Sequence, residues 1–379
     1  MKTLHAAAAK DPHENRSPLS PESIGKLSSM GIKITADKGI ALKSGFTDES
    51  LVQAGAQVSE LGEGTALADI IIRIAKPTQE DIDALEPGTL HISFLDPFNE
   101  KDLIQKLADK KISAISMEMI PRSTLAQKMD ALSSQANLAG YFSVVKAAET
   151  LGKVLPMMMT PSGTIAPAKV FVIGVGVAGL QAIATAKRMG AQVQAFDTRP
   201  EVEEQVKSIG GKFLKIDLGE TGQTEQGYAK ELTPEQIIKQ KEGMKKACSQ
   251  SDIVITTAKL FGRPAPTLVD ADMIAVMKRG SVVVDLAVET GGNVEGSVLN
   301  KTVENENGVK IIGLANLEGQ VAKDASSMLA ANFANLIEHF WDKDQGLVKL
   351  NPEDEVLREC LITHGGTVVH ERFKEKTSK

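Results

Sequence analysis

The stretch 169–197, KVFVIGVGVAGLQAIATAKRMGAQVQAFD, leaves this chain few folds to choose from. Val170, Phe171, Val172 and Ile173 form an apolar run without polar alternation, the pattern of a parallel strand covered on both faces. The run meets Gly174-Val175-Gly176-Val177-Ala178-Gly179, a G-x-G-x-x-G, then a helical segment over 180–189 that stops at Gly190. A second strand over 192–196 ends on Asp197, roughly 20 residues past the last glycine, as a βαβ dinucleotide unit requires. Each glycine then has its own reason. Gly174 makes the tight turn, Gly176 lets the backbone approach a pyrophosphate, and Gly179 lets the helix pack against the strand. The helix start offers unpaired N–H groups to the phosphates. Without a ligand, the same stretch would be only a glycine-rich turn in an α/β sheet.

Asp197 can accept from both adenosine ribose hydroxyls and would repel a 2′-phosphate. Arg199 argues the other way, because an arginine just after the acid can pair with a 2′-phosphate. With the acid kept at the strand end, NAD(H) is the expected cofactor.

A chain of 379 residues predicts two domains rather than one. Net charge is −6 and there is no basic run, which excludes a nucleic-acid footprint. Cys248 and Cys360 are too few for a disulfide framework and read as apolar filler in a reducing compartment. The alanine run near the N-terminus is too short for a signal-peptide core, and no stretch reaches the ~18 consecutive apolar residues of a membrane span. A soluble, cytoplasmic protein is expected.

Strands alternate with helices over 1–135, implying a parallel sheet in a first α/β unit. Expected strands are 31–34, 68–74, 90–95 and 112–117. Expected helices are 21–27 with Ser20 as N-cap, 50–54, 80–84 capped by Thr78, and 99–109. A long helix over 125–151 has Gly140 as its one weak point and would cross to the second domain. That domain, 136–319, adds strands at 212–216, 253–256, 282–286 and 310–312. The polar stretch 217–240 lacks periodicity and reads as a lid or a disordered segment, with Tyr228 at its centre. A last helix over 326–340 returns the chain, so 320–379 completes the first domain. Strand signals at 355–358, 361–363 and 367–369 around His364-Gly365-Gly366 suggest a hairpin that needs a body or a partner to pack on. The fold class is α/β: two Rossmann-like domains with parallel sheets, joined by long helices.

Polar residues gather at three further places. Arg122 sits where a strand ends, where ligands collect in α/β sheets. Gln127, Asp130, Ser134 and Asn137 fall at helical spacing, with Ser133 beside them. They form either a grip for a nicotinamide carboxamide and ribose or an ordinary solvated face. Thr256, Thr257 and Ala258 close another strand and could line the cofactor. Asp285 and Glu289, before Gly291-Gly292-Asn293, are catalytic acids or turn formers. The six histidines show no metal-ligand spacing, and no nucleophile motif is present, so neither a metal nor a covalent nucleophile is expected. His91, on an apolar strand, reads as packed and hydrogen-bonded rather than as a general base.

The segments PRSTLAQKMDALSSQANLAGY, GVGVAGLQAIATAKRMGAQVQAFDTRPEVEEQVKSIGGKF, GYAKE, DIVITTA and VVVDLAVETGGN carry a resemblance that extends over nearly the whole chain. The chain resembles the NAD(H)-binding component, domain I, of proton-translocating nicotinamide nucleotide transhydrogenases, in the form of a separate soluble alpha-subunit polypeptide. The segment LHAAAAKDPHENRSPLSPE departs from that family by being less apolar than its usual first strand.

The resemblance implies site residues. Arg122, Gln127, Asp130 and Ser133 match the nicotinamide-side loop, with Ser123 adjoining it. Val177 and Ala178 join the three glycines over the pyrophosphate. Asp197 takes the adenosine ribose, flanked by Thr198 and Arg199, while Gly227 and Tyr228 belong to a mobile loop. Thr257 and Ala258 line the site. It also implies hydride transfer from NADH to NADP+ held by the NADP(H)-binding domain of a beta subunit, with membrane-spanning partner subunits translocating protons. A homodimer at the cytoplasmic face of a bacterial inner membrane is implied too. Alanine dehydrogenases share the two-domain fold, but the positions of their substrate lysine and histidine fall on Ala75 and Phe94, which do no acid–base work. The rival readings are an amino-acid dehydrogenase and an NAD-sensing scaffold.

Overall fold

Ser20 and Thr78 start helices for the same reason: each hydroxyl accepts a backbone N–H one turn on, and the residue there bonds back to the cap, a reciprocal box. In the computed structural model, which describes residues 2–219, 221–222 and 232–374, Thr233 opens a third helix with the same reciprocal box. The chain divides into two units, Met1–Gln135 with Gly319–Lys379, and Ala136–Glu318.

The first unit begins β1 (Thr3–Ala6), α1 (Pro21–Ser29), β2 (Lys33–Asp37), α2 (Asp48–Gln53), β3 (Ala56–Ser59), β4 (Ile70–Ile72), α3 (Gln79–Asp83), β5 (Leu90–Ser93), α4 (Lys101–Asp109) and β6 (Ser113–Ser116). Helix α5 (Ala131–Leu151) then carries the chain out of it. The second unit continues with β7 (Met158–Thr160), β8 (Gly163–Ile165), β9 (Lys169–Ile173), α6 (Val177–Arg188), β10 (Gln192–Phe196), α7 (Glu203–Ser208) and β11 (Lys212–Phe213). It closes with α8 (Pro234–Gln250), β12 (Ile253–Thr256), α9 (Ala271–Ala275), β13 (Val282–Asp285), β14 (Lys301–Glu304) and β15 (Lys310–Gly313). The return segment supplies α10 (Ala322–Phe340), β16 (Trp341–Asp342), β17 (Leu347–Val348), α11 (Leu357–Cys360), β18 (Leu361–His364) and β19 (Thr367–Val368).

Among the described residues the first unit's sheet runs β19-β18-β6-β5-β4-β1-β2-β3, parallel from β6 to β3 and antiparallel at β18 and β19. The second unit's runs β11-β10-β9-β12-β13-β15-β14, parallel except at β14. Its central strands β9, β12, β13 and β15 are buried almost throughout because both faces are covered. Val170, Val172, Ile253 and Ile255 pack with Val144, Ala182 and Ile183 of α5 and α6. Phe171, Ile173, Val254 and Val283 pack with Met244, Cys248 and Met273 of α8 and α9. Each such side chain contributes roughly 1.5–3 kcal/mol. Both cysteines are free and buried, and burial pushes the Cys248 thiol up to about 12.

The α/β class, with parallel-rich sheets in two domains, is as expected; several boundaries are not. The long helix begins at Ala131 rather than 125, because Asp130 caps it: its carboxylate accepts from Ser133 N at 2.9 Å. Residues 127–129 form instead a 3₁₀ turn, so Gln127 does not share the helix face of Ser134 and Asn137. Helix α8 starts at Pro234, inside the stretch read as irregular, through a Thr233–Gln236 capping box with proline in the first turn. The strand expected at 31–34 is shifted to Lys33–Asp37, since Gly31 turns at φ +83°. Residues 355–358 are not a strand: Asp354 Oδ1 accepts from Val356 N and Leu357 N and starts α11. The hairpin that follows finds its body within the chain, pairing with β6. The strand at 212–216 is reduced to Lys212–Phe213.

Candidate functional site

In the second unit the chain leaves β9 toward β10 and β11 on one side, and β12 leads to β13 and β15 on the other. The crevice at the carboxyl ends of β9 and β12 is therefore the topological switch point, where open α/β sheets take ligands. Gly174 ends β9 there at φ +94°, and a Cβ on it would lie 2.6 Å from Thr257 Oγ1. Thr257, just past β12, donates its hydroxyl to the Gly174 carbonyl at 2.9 Å and its N–H to Ile173 O at 2.9 Å. A Cβ on Gly179 would stand 2.0 Å from the Gly174 carbonyl, so α6 can only start this close to the strand with glycine there. Gly176 has nothing within 4 Å of a built Cβ, and no side chain caps α6. With no side-chain cap on α6, the N–H groups at its start around Val177, Ala178 and Gly179 are available to an anion, and the turn fits a pyrophosphate. Gly140 of α5 approaches the same turn, where a Cβ would meet the Ala178 carbonyl at 2.2 Å.

Asp197 follows β10 beside this turn. Its Oδ2 accepts the Val175 N–H at 2.7 Å, which ties the acid to the glycine loop. Arg199 folds back onto Asp197 through Nε and Nη2, and the bonds to the carboxylate raise the arginine's pKa further. The Thr198 carbonyl accepts from Thr221 Oγ1 at 2.6 Å.

Ala258 is fixed by a residue that sequence reading leaves unassigned. The side chain of Asn293, fully buried, accepts from Ala258 N at 3.0 Å and donates to Ala258 O at 2.9 Å. Asp285 in turn accepts from Asn293 N, Val294 N and Ala287 N, fully buried, and is a turn former. Glu289 is half exposed and faces Lys259 at 3.6 Å.

The segment 122–133 belongs to the first unit. Ser123 Oγ accepts from Ala126 N at 3.3 Å. Ala126 and Met129 are fully buried and anchor the 3₁₀ turn, while Arg122, Gln127 and Lys128 are exposed. Asp130 is buried, and both its carboxylate oxygens are engaged by Ser133, one by N–H and one by hydroxyl. Asn332 and Asn335 of α10 reach the Lys128 carbonyl, contacts that no local sequence signal could announce across some 200 positions. Gly227 and Tyr228 lie outside the described residues.

His91 is packed as expected, but neither ring nitrogen has a hydrogen-bond partner; burial, then the Arg73 charge, pull its pKa down to about 3. A cavity of about 380 Å³ opens in the first unit beside Lys10, Arg73, Ala75, Lys76, Asp81 and Glu100. Every cation in that set is paired: Arg73 with Asp81, Lys10 with Glu80 and Asp81, and Lys76 with Glu100. Among the described residues no helix is long and apolar enough to cross a membrane.

Two doubly wound sheets, one with a glycine turn at its switch point closed by an aspartate, define the class: a two-domain α/β protein with a Rossmann-type nucleotide-binding unit. The alanine dehydrogenase/PNT N-terminal domain profile matches residues 7–139 and the C-terminal domain profile residues 143–371, and the chain belongs to that family. It is 41% identical over 367 residues to an NAD(P) transhydrogenase alpha-subunit polypeptide of Rhodospirillum rubrum, covering 95% of each. The transhydrogenase structure from Sinorhizobium meliloti is similar at 39% identity and a TM-score of 0.85, over 98% of this chain and all of that one. An L-alanine dehydrogenase structure is similar at 25% identity and a TM-score of 0.81, over 98% of both chains.

Proposed function

We propose that this chain is the NAD(H)-binding component of a proton-translocating NAD(P) transhydrogenase and passes hydride between NADH and NADP+ held on a partner subunit. The bound nicotinamide supplies the hydride at its C4. The protein's own work is binding and positioning. The start of α6 holds the pyrophosphate and Asp197 the adenosine ribose. Arg122 and Ser133 hold the carboxamide, Gln127 lies toward the partner's nucleotide, and Gly227 and Tyr228 close over the ligand. Ser123, Thr198, Arg199, Thr257 and Ala258 complete the lining. Two rings must reach about 3–3.5 Å with water kept out, which is catalysis by proximity rather than by proton transfer.

The observation that carries this reading is the chemistry of 122–133. Its one carboxylate, Asp130, is committed to capping α5 through Ser133, so the segment's other polar side chains are of amide, guanidinium and hydroxyl type, the chemistry that pairs with a carboxamide. The alanine dehydrogenase alternative is disfavoured because Ala75 stands where that enzyme's lysine is expected, and the neighbouring Lys76 is tied to Glu100. Relatives named as alpha subunits imply partner subunits. In this reading the domain 136–319 binds NAD(H), and the domain 1–135 with 320–379 presents the nicotinamide-side segment. The chain pairs as a homodimer and sits at the cytoplasmic face of the bacterial inner membrane through its partners, which translocate the protons.

The test is transfer from NADH to an NADP analogue, with and without the soluble NADP(H)-binding domain of the beta subunit. Transfer should appear only when that domain is added. Steady turnover of alanine, or of pyruvate with ammonium, by the chain alone would refute the reading.

A further inference from the structure

The Lys128 carbonyl receives two side-chain amides from one distant helix. Asn332 Nδ2 donates at 3.0 Å and Asn335 Nδ2 at 2.9 Å. Asn332 is 6% exposed, and its Oδ1 accepts from Ser134 Oγ at 2.7 Å in the first turn of α5. Asn335 Oδ1 accepts from Lys26 Nζ at 2.6 Å, and Lys26 also reaches Glu338 at 2.8 Å. Both amides are therefore engaged on their oxygen side as well, which fixes their orientation. The carbonyl they hold lies in the middle of the Gln127–Met129 turn.

From this we infer that Asn332 and Asn335 are positioning residues for hydride transfer: they set the height of the 127–129 turn and so the direction in which Gln127 projects. The inference rests on the transhydrogenase reading given above. A turn of three residues that follows buried Ala126 and ends on buried Met129 has little intrinsic preference for one conformation. Two amide hydrogen bonds on one peptide oxygen supply what the turn's own backbone cannot. Removing them leaves the start of α5 intact, since Asp130 caps that helix through Ser133.

The test uses Asn332→Asp and Asn335→Asp in the full chain, singly and together. Each keeps the oxygen that serves Ser134 or Lys26 and replaces the donor by an oxygen that cannot bond the carbonyl. Lys26→Met is the control that breaks only the outer contacts. Single-turnover hydride transfer, with the partner's NADP(H)-binding domain added, should slow about 100-fold in the double variant, the cost of a displacement near 1 Å. NADH affinity should change less than about twofold, a split between chemistry and binding. Amide exchange at Met129 and Asp130, measured without any partner, should accelerate in the aspartate variants and not in Lys26→Met. The half-buried Asn335→Asp keeps the test usable should the more deeply buried Asn332 substitution unfold the protein. Unchanged exchange at Met129 and Asp130 overturns the proposal. So do transfer rates unchanged in the aspartate variants, or transfer and NADH binding falling together. Should the wild type transfer no hydride to the partner domain, the functional reading fails, and the exchange measurement still judges the clamp.

Discussion

Arg199 grips Asp197 with both arms of its guanidinium, Nε on Oδ1 at 2.9 Å and Nη2 on Oδ2 at 2.8 Å, and Nη2 also donates to the Val175 carbonyl at 3.0 Å. An arginine at this position invites a 2′-phosphate, yet here its fork is occupied by the carboxylate it follows. The pair is nearly buried, with the Asp197 side chain 6% exposed, so the interaction is weakly screened. The cofactor preference then depends on the acid. Asp197→Asn should lower NADH affinity about 10-fold or more, the worth of a charge-assisted hydrogen bond. It should also raise NADPH affinity, because the released guanidinium meets the phosphate. Titration of reduced-nicotinamide fluorescence measures both; a loss for NADH without a gain for NADPH contradicts the argument.

Gly140 sits inside α5, where glycine ordinarily costs about 1 kcal/mol against alanine. The sign should invert at this position. A Cβ would stand 2.2 Å from the Ala178 carbonyl, a backbone atom at the start of α6 that cannot swing aside. Gly140→Ala should destabilise by roughly 1–3 kcal/mol, as overpacking does. It should also weaken dinucleotide binding by shifting the phosphate turn. Urea unfolding checks the first effect and NADH titration the second.

Gly140 also marks where sequence reading reaches its limit. The glycine turn, the Ser20 and Thr78 caps and the buried strands are legible because each is a local rule: spacing, a hydroxyl before a helix, an unbroken apolar run. The segment around Gln127 is misread because helical spacing of polar residues does not reveal that Asp130 stops the helix by capping it. The same capping chemistry at Thr233 is hidden inside a polar stretch. The first strand, TLHA, lies between β2 and β4, and its histidine is wholly buried against Thr35 and Asp37. A polar residue in a central strand defeats an apolar-run criterion. Asn293, Asn332 and Asn335 act across long separations and leave no periodic trace.

His91 gives a stability argument with a definite sign. Buried beside Arg73, it titrates at about 3 when folded, against an ordinary value of 6.5. Between those values the unfolded chain binds a proton that the folded one refuses, so stability is full above pH 6.5 and falls as pH drops. From pH 7 to pH 5 this residue should cost about 2 kcal/mol. His91→Leu removes the titrating group and two unpartnered ring nitrogens, so its unfolding free energy should fall less over that interval. Parallel urea titrations of both proteins at the two pH values measure the difference; equal slopes would remove His91 from the acid response.

The hairpin of β7 and β8 is exposed along its whole length although it is rich in apolar side chains: Met158 is 43% exposed, Met159 80% and Ile165 42%. Two strands alone are marginally stable in water, and a patch of this composition signals association. The proposed homodimer predicts that a second copy covers it. Met159→Asp places a charge where burial would have to desolvate it, which costs several kcal/mol unless a partner charge is supplied. The variant should sediment as a monomer at concentrations where the wild type is a dimer. It should retain NADH binding, since the glycine turn and Asp197 are built from other elements. A wild type that is monomeric throughout, or a variant that dimerises as well as the wild type, would overturn this prediction.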